Sequence, residues 1–567
     1  MDSPDWRRDT SPPPPSTPSP GSQHQRPLPA AKSPRSSLPL ELELDQSAAC
    51  FQTICVADPA ERAEALESLL QFLRDQGNTE KGKMFLRSQL PRMVRLSCQC
   101  PFPDVREAFA ELLKFCSEEL HMELPRWHGV SAFVDEKELV PLDSDDELTQ
   151  RLFAEIFVQS GRLPHFLRVL AWHGGFLERF YQTYSLVMTA SGPLQLHIRS
   201  YIAIMAASQY ECLYLVRLME QDYLANGGDP AWLAGISYIP KKLASLLEIN
   251  CLLAHQPWLL KKDHIAKVAK GADAWSIGEL VHALVIMSTF RFMAGVVFGC
   301  GILPELDMNV EETINLEDLR ASAKPDIRMS EELAKVVSAL TGSKNSSEQD
   351  EEDQPQSQRL VFENAAMNEE EGAATKAASE EAPREDKRTA ITGENSSAYV
   401  QKYVGEFKGH HVDFDVRSKD YSVFHVQYYS WKEHGYALVS RFFADVAPLL
   451  DDEFDYIYYM TDRSIASHVN VDTSPFREAV WYYVHRINGL LHADYDYRNV
   501  NLYLNRSIKH FAKKASCSPK TITYNDFVNI GLDLRADEKC HVSLLAAEAA
   551  RQAELLYGLY AVMQFMT

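Results

Sequence analysis

Apolar residues recur along most of this chain with the spacing of helices. In "DDELTQRLFAEIF" the residues Leu148, Leu152 and Ile156 recur every fourth position and share one helix face. The later segments "WKEHGYALVSRFF", "SPFREAVWYYVHRI", "NVNLYLNRSIKHFAKK" and "HVSLLAAEAARQAELLYGLYAVMQF" also have helical patterns. The alternation of apolar and polar residues that is typical of strands is rare. The pattern therefore predicts an all-α fold.

Two segments are apolar on nearly every side, as helices at the centre of a core are. One covers residues 201–207 in "SYIAIMAASQ", and the other runs from His282 to Pro304. The second is about long enough to cross a bilayer. Arg291 lies near its middle, however, where a charge is costly in lipid. We therefore predict a buried core helix and no membrane span.

Local signals mark the starts of two helices. "WSIGEL" contains a capping box from Ser276 to Glu279. In "VDTSPFREAVWYYVHRI" we predict Ser474 as the cap and Pro475 as the first helical residue. Arg477 then falls in the first turn of that helix.

The position of Arg477 indicates an anion nearby. A cation in the first turn is opposed by the helix dipole unless an anion accompanies it. Free N–H groups at a helix start, together with a guanidinium, suit a carboxylate or a phosphate. The alternative is a salt bridge to Asp472 or Glu478. The residues alone leave both interpretations open.

Composition divides the 567 residues into folded and unfolded parts. Residues 1–45 are rich in Pro and Ser, and residues 306–398 are acidic and low in aromatic residues. Such segments bury too little apolar area to fold, so we predict a disordered extension and a disordered linker. The rest is predicted as a helical region of unknown role, 46–145, and two helical subdomains, 146–305 and 399–567.

Charge and cysteine usage exclude several function classes. The net charge of -22 argues against nucleic acid as a partner, because phosphate binding needs clustered Lys and Arg. The ten cysteines are scattered, with no CxxC and no Cys/His couplets at zinc spacing, so we predict no metal and no cofactor. The polar start "MDSPDWRRDT" is unlike a signal peptide, and the prediction is a reducing, intracellular location.

Cys212 in "YECLYLVRLMEQ" raises the question of thiol chemistry. A reactive thiolate needs a neighbouring cation, a histidine or a helix N-terminus. The pattern predicts Cys212 in the middle of a helix, with Met219 two turns further on the same face, and methionine cannot carry a proton. A buried structural thiol is the favoured interpretation, and a nucleophilic or peroxide-reducing cysteine is the alternative.

The segment "HADYDYRN" mixes acidic and aromatic residues. It lacks the twelve-residue pattern of a calcium loop. It is interpreted as a solvated acidic turn, with a protein docking surface as the alternative.

Several strings, in their order and spacing, resemble the sestrin family. They include "YIAIMAA", "GGDPAWL", "EINCLLAHQPWL", "WSIGELVHALV", "FGCGILPE", "HGYAL", "VDTS", "DYDY" and "EKCHV". The resemblance covers roughly residues 148–304 and 420–567. It does not include the N-terminal extension or the linker.

The resemblance implies two subdomains related to the bacterial alkylhydroperoxidase AhpD fold. The first is tied in the family to peroxide reduction, and the second resembles a receptor for free leucine. Family members bind the GATOR complexes upstream of the TOR kinase complex and restrain it when leucine is scarce. The implied location is the cytoplasm, with the nucleus as a second site.

The resemblance also assigns the residues of a leucine pocket. Arg477 takes the place of the arginine that binds the leucine carboxylate, and Glu538 that of the acid that holds the ammonium. The hydroxyls that close over the ligand are those of Thr461, Ser464 and Thr473. The wall of the pocket is formed by Phe476 and His541. Gly531 stands where vertebrate members have a wall tryptophan, which implies weaker apolar contact with leucine.

The other family sites match in part. Cys212 and Tyr214 keep the Cys-x-Tyr of the redox site, but its histidine position is Met219. For GATOR contact, the matching residues are Ser276, Asp494 and Asp496.

Three functions therefore compete. The leading hypothesis is a non-enzymatic amino-acid sensor that regulates signalling under stress. The alternatives are a thiol-dependent alkyl hydroperoxide reductase acting through Cys212, and a helical scaffold with neither activity.

Overall fold

The computed structural model describes residues 50–308, 335, 394–414, 424–460, 464–466, 468–531 and 533–567. Those from Phe51 onward belong to one compact unit. The predicted disorder of residues 1–45 and of most of the 306–398 linker lies outside the described residues. Thr461 also lies outside them, as does the side chain of Ser464.

Helices make up nearly all the regular structure of the described residues, which confirms the all-α class. Up to residue 308 they are α1 Pro59–Gln76, α2 Glu80–Gln99, α3 Pro103–Glu118, α4 Glu147–Ser160, α5 His165–Leu170, α6 Gly174–Thr189, α7 Leu196–Gln209, α8 Leu213–Ala225, α9 Lys241–Ala244, α10 Leu247–His255, α11 Lys262–Ala269 and α12 Ile277–Gly299. From residue 394 they are α13 Glu394–Gln401, α14 Tyr436–Phe442, α15 Val446–Tyr459, α16 Ser474–Ile487, α17 Arg498–Tyr503, α18 Arg506–Cys517, α19 Tyr524–Asn529 and α20 Ala536–Met566. The likeness to the AhpD fold stays a prediction.

The strands among the described residues are each two residues long. They are β1 Phe424–His425, β2 Ser464–Ile465, β3 His468–Val469 and β4 Leu490–Leu491. β1 pairs in parallel with β4, and β2 pairs with β3 as an antiparallel hairpin. The hairpin matters for the site described below, because its turn contacts the start of α20.

Helices α12 and α20 form the centre of the fold. A Cβ added to Gly295 would lie 2.9 Å from the Cβ of Ala547, and one added to Gly558 would lie 3.0 Å from Leu284. These two contacts pair residues in opposite order, so the helices run antiparallel. The glycines allow the close approach, because even one added carbon leaves no room. The two predicted subdomains therefore share one core.

The apolar segment that could be mistaken for a membrane span is α12. It is long and apolar enough to cross a bilayer, yet its most apolar 18 residues are wholly buried within the protein. Arg291 in this helix is 3% exposed and pairs with Glu554 of α20 at 3.2 Å. The segment is thus a buried core helix, as its central charge predicts. The predicted capping box also forms, since Ser276 and Glu279 each accept a hydrogen bond from the other's backbone N–H.

The folded part extends into both ends of the range predicted as linker. Asp307 lies in a short 3-10 turn, Leu306–Met308, and pairs with Arg95 of α2 at 3.1 Å and Arg162 at 3.3 Å. Met308 is 2% exposed. At the other end, α13 begins at Glu394. Composition did not reveal where the folded part ends, because a few contacts such as those of Asp307 fix these residues.

Candidate functional site

The predicted anion site lies at the start of α16. Thr473 takes the cap position and Ser474 is the first helical residue, so the helix begins one residue earlier than predicted. The correction follows from Asp472, whose Oδ1 accepts the backbone N–H of Ser474 at 3.0 Å. Arg477 still lies in the first turn, as the sequence indicated.

The guanidinium of Arg477 is buried and bonded to neutral oxygens. It is 3% exposed, its Nη1 donates to the Tyr458 carbonyl at 2.8 Å and its Nη2 donates to the Ser474 hydroxyl at 2.8 Å. Nε is buried without a hydrogen-bond partner among the described residues. Burial lowers the pKa of Arg477, and the charges of Asp472 and Glu478 oppose that shift. Since arginine stays protonated in proteins, the site holds a buried cation with a spare donor.

Glu538 occupies the first turn of α20 and joins two structural elements. Its Oε2 accepts the backbone N–H of Arg535 at 2.8 Å, which completes a capping box. Its Oε1 accepts the N–H of Ala466 in the β2–β3 turn at 2.9 Å. Burial raises the pKa of Glu538. The sequence analysis did not predict this second role, in which the carboxylate of Glu538 links the β2–β3 hairpin to α20 by hydrogen bonds.

His541 follows Glu538 on α20, and its Nε2 is buried. It lies three residues after Glu538 and therefore on the same face of α20. Burial lowers the pKa of His541 well below its usual value, and the charges of His173 and Arg477 lower it further.

His173 is a neighbour that the sequence did not reveal. Its ring centroid lies 5.4 Å from that of His541, and its Nε2 lies 3.1 Å from the Asp537 carbonyl oxygen. His173 comes from the first half of the chain, between α5 and α6. No spacing rule links positions so far apart in sequence, so only the tertiary structure could identify it.

The remaining predicted pocket residues are placed as follows. Phe476 and Thr473 are each 6% exposed beside Arg477 in the chain, and Gly531 is buried. The structure thus places Arg477 at the start of α16, and Glu538 and His541 at the start of α20, on two helices that pack against each other. Their role in binding leucine stays a prediction at this point.

Cys212 is not in the middle of a helix, contrary to the sequence-based prediction. Helix α7 ends at Gln209, Glu211 adopts a positive φ of 55°, and Cys212 is the cap residue of α8. A helix start favours a thiolate, but Cys212 is 1% exposed and burial raises its pKa to about 12.

Tyr214, the other predicted residue of the redox site, makes a different contact. Tyr214 donates its hydroxyl hydrogen to the buried carboxylate of Glu305 at 3.0 Å, and Glu305 also accepts the backbone N–H of His165 at 2.8 Å. Met219 is fully buried. The buried positions of Cys212, Tyr214 and Met219 support a structural role for these three residues.

We therefore expect Cys212 to be unreactive in the folded protein. A pKa near 12 leaves very little thiolate at neutral pH. Iodoacetamide should therefore modify Cys212 at least about tenfold more slowly than the half-buried Cys98 and Cys251. Peptide mass spectrometry of the alkylated full chain measures all three at once. In denaturant the three rates should converge, and rapid labelling of Cys212 in the folded chain would contradict this expectation.

The residues predicted for partner contact cap helices or lie on the surface. Ser276 caps α12, and Asp496 pairs with Arg498 at 3.1 Å at the start of α17. Asp494 is exposed. Beside them, the ring of Tyr495 stacks on Tyr482 of α16 at a centroid distance of 3.9 Å. A docking role for this surface stays a prediction.

The fold and the site define a class of protein: all-α, with two halves that share a core and a buried cation and carboxylate at the starts of two helices. A family model described as "PA26 p53-induced protein (sestrin)" matches residues 129–566. The chain is 40% identical to the sestrin homolog of Dictyostelium discoideum, over 92% of this chain and 90% of that protein. It is 37% identical to Sestrin-1 of Mus musculus, over 79% and 93%, and 34% identical to Sestrin-2 of Homo sapiens, over 77% and 91%.

The chain therefore belongs to the sestrin family, which confirms the resemblance seen in the sequence. Membership supports a stress-induced function of the sestrin kind.

Proposed function

We propose that this protein is an intracellular sensor of free leucine, or of a similar amino acid, that restrains TOR signalling by binding GATOR proteins. The observation that carries the proposal is the buried guanidinium of Arg477, whose two hydrogen bonds at 2.8 Å go to neutral oxygens. A buried cation without a bonded anion is costly, so a ligand carboxylate is its natural partner.

The pair of charges suits a zwitterion. Arg477 binds the carboxylate, and Glu538 binds the ammonium with the lone pairs that its two backbone hydrogen bonds leave free. A phosphate would be repelled by Glu538. Phe476 and His541 form the apolar wall on the same two helices, α16 and α20.

The same contacts offer a route from ligand to partner. An ammonium bound to Glu538 competes with the hydrogen bond by which this carboxylate holds the β2–β3 turn. A carboxylate bound to Arg477 competes with the hydrogen bonds of its guanidinium at the start of α16. That helix also carries Tyr482, which stacks on Tyr495 between Asp494 and Asp496. We propose that Ser276, Asp494 and Asp496 contact the GATOR proteins, and that the ligand alters this surface through α16. A ligand acts this way only if it binds two conformations with different affinity.

Calorimetry of the full chain tests the proposal. The full chain is needed because both halves share one core. Leucine, isoleucine and methionine should bind, with leucine strongest. Two matched ligands lack one charge each: leucinamide has no carboxylate, and 4-methylpentanoate has no ammonium. Both should bind at least about thirtyfold more weakly than leucine. Equal binding of leucine and leucinamide, or no binding of any amino acid, would refute the site.

Gly531→Trp should increase selectivity for leucine. If the missing aromatic wall weakens binding, covering about 50 Å² more of the ligand contributes about 1.2 kcal/mol, close to tenfold in affinity. Alanine lacks that apolar area, so its affinity should change little. Gly531→Ala is the matched control, because it alters the backbone residue without supplying a wall. The same gain for leucine and alanine would mean that Gly531 does not face the ligand side chain.

A further inference from the structure

The buried arginine at the start of α16 has a counterpart in the first half of the chain. Arg199 is the fourth residue of α7, as Arg477 is the fourth residue of α16. Each arginine donates from Nη1 to a carbonyl oxygen near the end of the preceding helix. The acceptors are Val187 of α6 at 3.2 Å and Tyr458 of α15 at 2.8 Å.

The two central helices also begin with the same pattern. Glu279 and Glu538 are each the third residue of their helix, α12 and α20, and each completes a capping box. A histidine follows three positions later in both helices, His282 and His541. The first half of the chain therefore contains a second set of arginine, glutamate and histidine. Neither the family resemblance nor the proposed sensor function uses this set.

Arg199 and His282 meet at one carbonyl oxygen. The oxygen of Val187 lies 3.2 Å from Arg199 Nη1 and 2.8 Å from His282 Nε2. Arg199 Nε donates to the Leu194 carbonyl at 2.9 Å. Both side chains are 2% exposed. We call this pair, together with the neighbouring Gly192, the Arg199 site.

The guanidinium of Arg199 has no acidic partner among the described residues. Its Nε and Nη1 bond to neutral carbonyl oxygens, and burial lowers its pKa with no acid to oppose the shift. The carboxylate of Glu279 is held by Lys242 Nζ at 2.9 and 3.1 Å. A buried cation without an anion is costly, so an anionic ligand would stabilise this site.

His282 contributes a hydrogen-bond acceptor. Because the Val187 carbonyl can only accept, Nε2 of His282 carries the ring proton. Burial, with a smaller effect of the Arg199 charge, lowers the pKa of His282 to about 4, so the ring is neutral at pH 7. Its Nδ1 is therefore an acceptor, and it is buried without a hydrogen-bond partner among the described residues.

The two side chains converge at Gly192, in the loop between α6 and α7. A Cβ added to Gly192 would lie 3.1 Å from Arg199 Nη2 and 3.5 Å from Cε1 of His282, the ring atom bonded to Nδ1. It would also lie 3.5 Å from the ring of Phe443. Gly192 is exposed, as are Ser191 and Pro193 on either side of it. The absent side chain thus leaves room beside both polar groups, on the surface side of the site.

We propose that the Arg199 site binds a small 2-hydroxy carboxylate, of which lactate is the simplest chiral example. The ligand carboxylate pairs with Arg199 Nη2, and the ligand hydroxyl donates to His282 Nδ1. An amino acid fits less well, because its ammonium would stand beside a guanidinium while Lys242 occupies Glu279. The site lies in the other half of the chain from Arg477, so it does not depend on leucine binding.

Calorimetry of the full chain with four ligands of nearly equal size tests the proposal. Propionate lacks the hydroxyl of lactate, lactamide lacks its charge, and alanine has an ammonium in place of the hydroxyl. Lactate should bind at least about tenfold more tightly than propionate, which leaves Nδ1 unpaired, and at least about thirtyfold more tightly than lactamide. Alanine, titrated in excess leucine to fill the proposed amino-acid pocket, should bind at least about tenfold more weakly than lactate.

Two variants assign the ligand's two polar groups. Arg199→Met should abolish detectable binding of lactate, because the carboxylate loses its buried partner. His282→Phe keeps an aromatic ring against Phe443 but removes Nδ1. It should lower the affinity for lactate to that for propionate and leave the affinity for propionate nearly unchanged. That change in preference separates the hydrogen bond from general packing. Circular dichroism establishes that each variant is folded.

Gly192→Ala tests where the ligand lies. The added Cβ takes the space beside Arg199 and His282, so the affinity for lactate should fall about tenfold or more. Gly174→Ala is the matched control, because its Cβ would make an ordinary contact of 3.6 Å with Leu148. It should leave lactate binding unchanged.

Four results would overturn the proposal. They are the absence of lactate binding, equal affinities for lactate and propionate, unchanged lactate binding in folded Arg199→Met, and binding of inorganic phosphate as tight as that of lactate. Excess leucine should leave the affinity for lactate unchanged. A loss of lactate binding in leucine would mean that both ligands use one pocket, and it would refute a separate site without refuting the amino-acid sensor.

Discussion

Arg477→Met is expected to abolish detectable binding of leucine. The variant keeps the volume of the side chain but removes the buried cation, and the ligand carboxylate then has no partner. Loss of one member of a buried, hydrogen-bonded charge pair costs roughly 2 to 5 kcal/mol, or about thirtyfold and upward in affinity. Calorimetry of the full chain at one salt concentration measures the loss.

Arg199→Met is the matched control for this variant. Arg199 is 2% exposed and donates to the carbonyl oxygens of Leu194 and Val187, so its environment resembles that of Arg477. It lies in the first half of the chain, outside the proposed pocket. The control should lose stability without losing affinity for leucine.

Glu538→Gln should weaken binding by the same mechanism at the other end of the ligand. Because Glu538 also caps α20, a stability change of about 1 kcal/mol accompanies it. Glu279→Gln removes the equivalent capping carboxylate from α12 and separates the two effects. Unchanged leucine binding in folded Arg477→Met and Glu538→Gln would place the ligand elsewhere.

Arg551→Met should produce the largest loss of stability. Arg551 is fully buried between α20, α12 and α15, where it donates to Glu453, to Glu548 Oε1 at 2.9 Å and to the Thr289 hydroxyl at 3.1 Å. Removing the cation leaves two carboxylates in the core. The expected cost is roughly 3 to 5 kcal/mol, measured as the shift in the urea unfolding midpoint of the full chain.

The pH dependence of this loss has a defined sign. Burial already raises the pKa of Glu548, and loss of Arg551 raises it further. A carboxyl whose pKa is raised in the folded state favours folding when it is protonated and opposes it as the pH rises. The deficit of Arg551→Met should therefore be smaller near pH 5 than near pH 8.

A triple variant provides the control for the Arg551 cluster. Replacing Arg551, Glu453 and Glu548 together by methionine or leucine removes all three buried charges of this cluster, and such replacements are often neutral or stabilising. The triple variant should recover most of the lost stability. A deficit below about 1 kcal/mol in Arg551→Met alone would mean that water reaches the two carboxylates.

Features that depend on neighbouring residues could be predicted from the sequence. The helical class, the capping box of Ser276 and Glu279 and the first-turn position of Arg477 were predicted correctly, because each depends on residues within about two turns. The buried position of α12 was also predicted, since Arg291 in an apolar segment needs a protein partner. The break before Cys212 was missed, because the positive φ of Glu211 is held by packing and has no glycine to signal it.

The sequence by itself determined the helical class, the capping box of Ser276 and Glu279, the acidic and proline-rich composition and the family. Only the tertiary structure decided which residues meet: His173 with His541, Arg551 with Glu453, and Arg291 with Glu554. The physical reason is the distance along the sequence over which each interaction acts. Backbone hydrogen bonds and side-chain periodicity act over one or two turns, whereas burial and pairing of charges depend on residues that may be hundreds of positions apart. The electrostatic environment of Arg477 and Glu538 is therefore set by the packing of the two halves around α12 and α20.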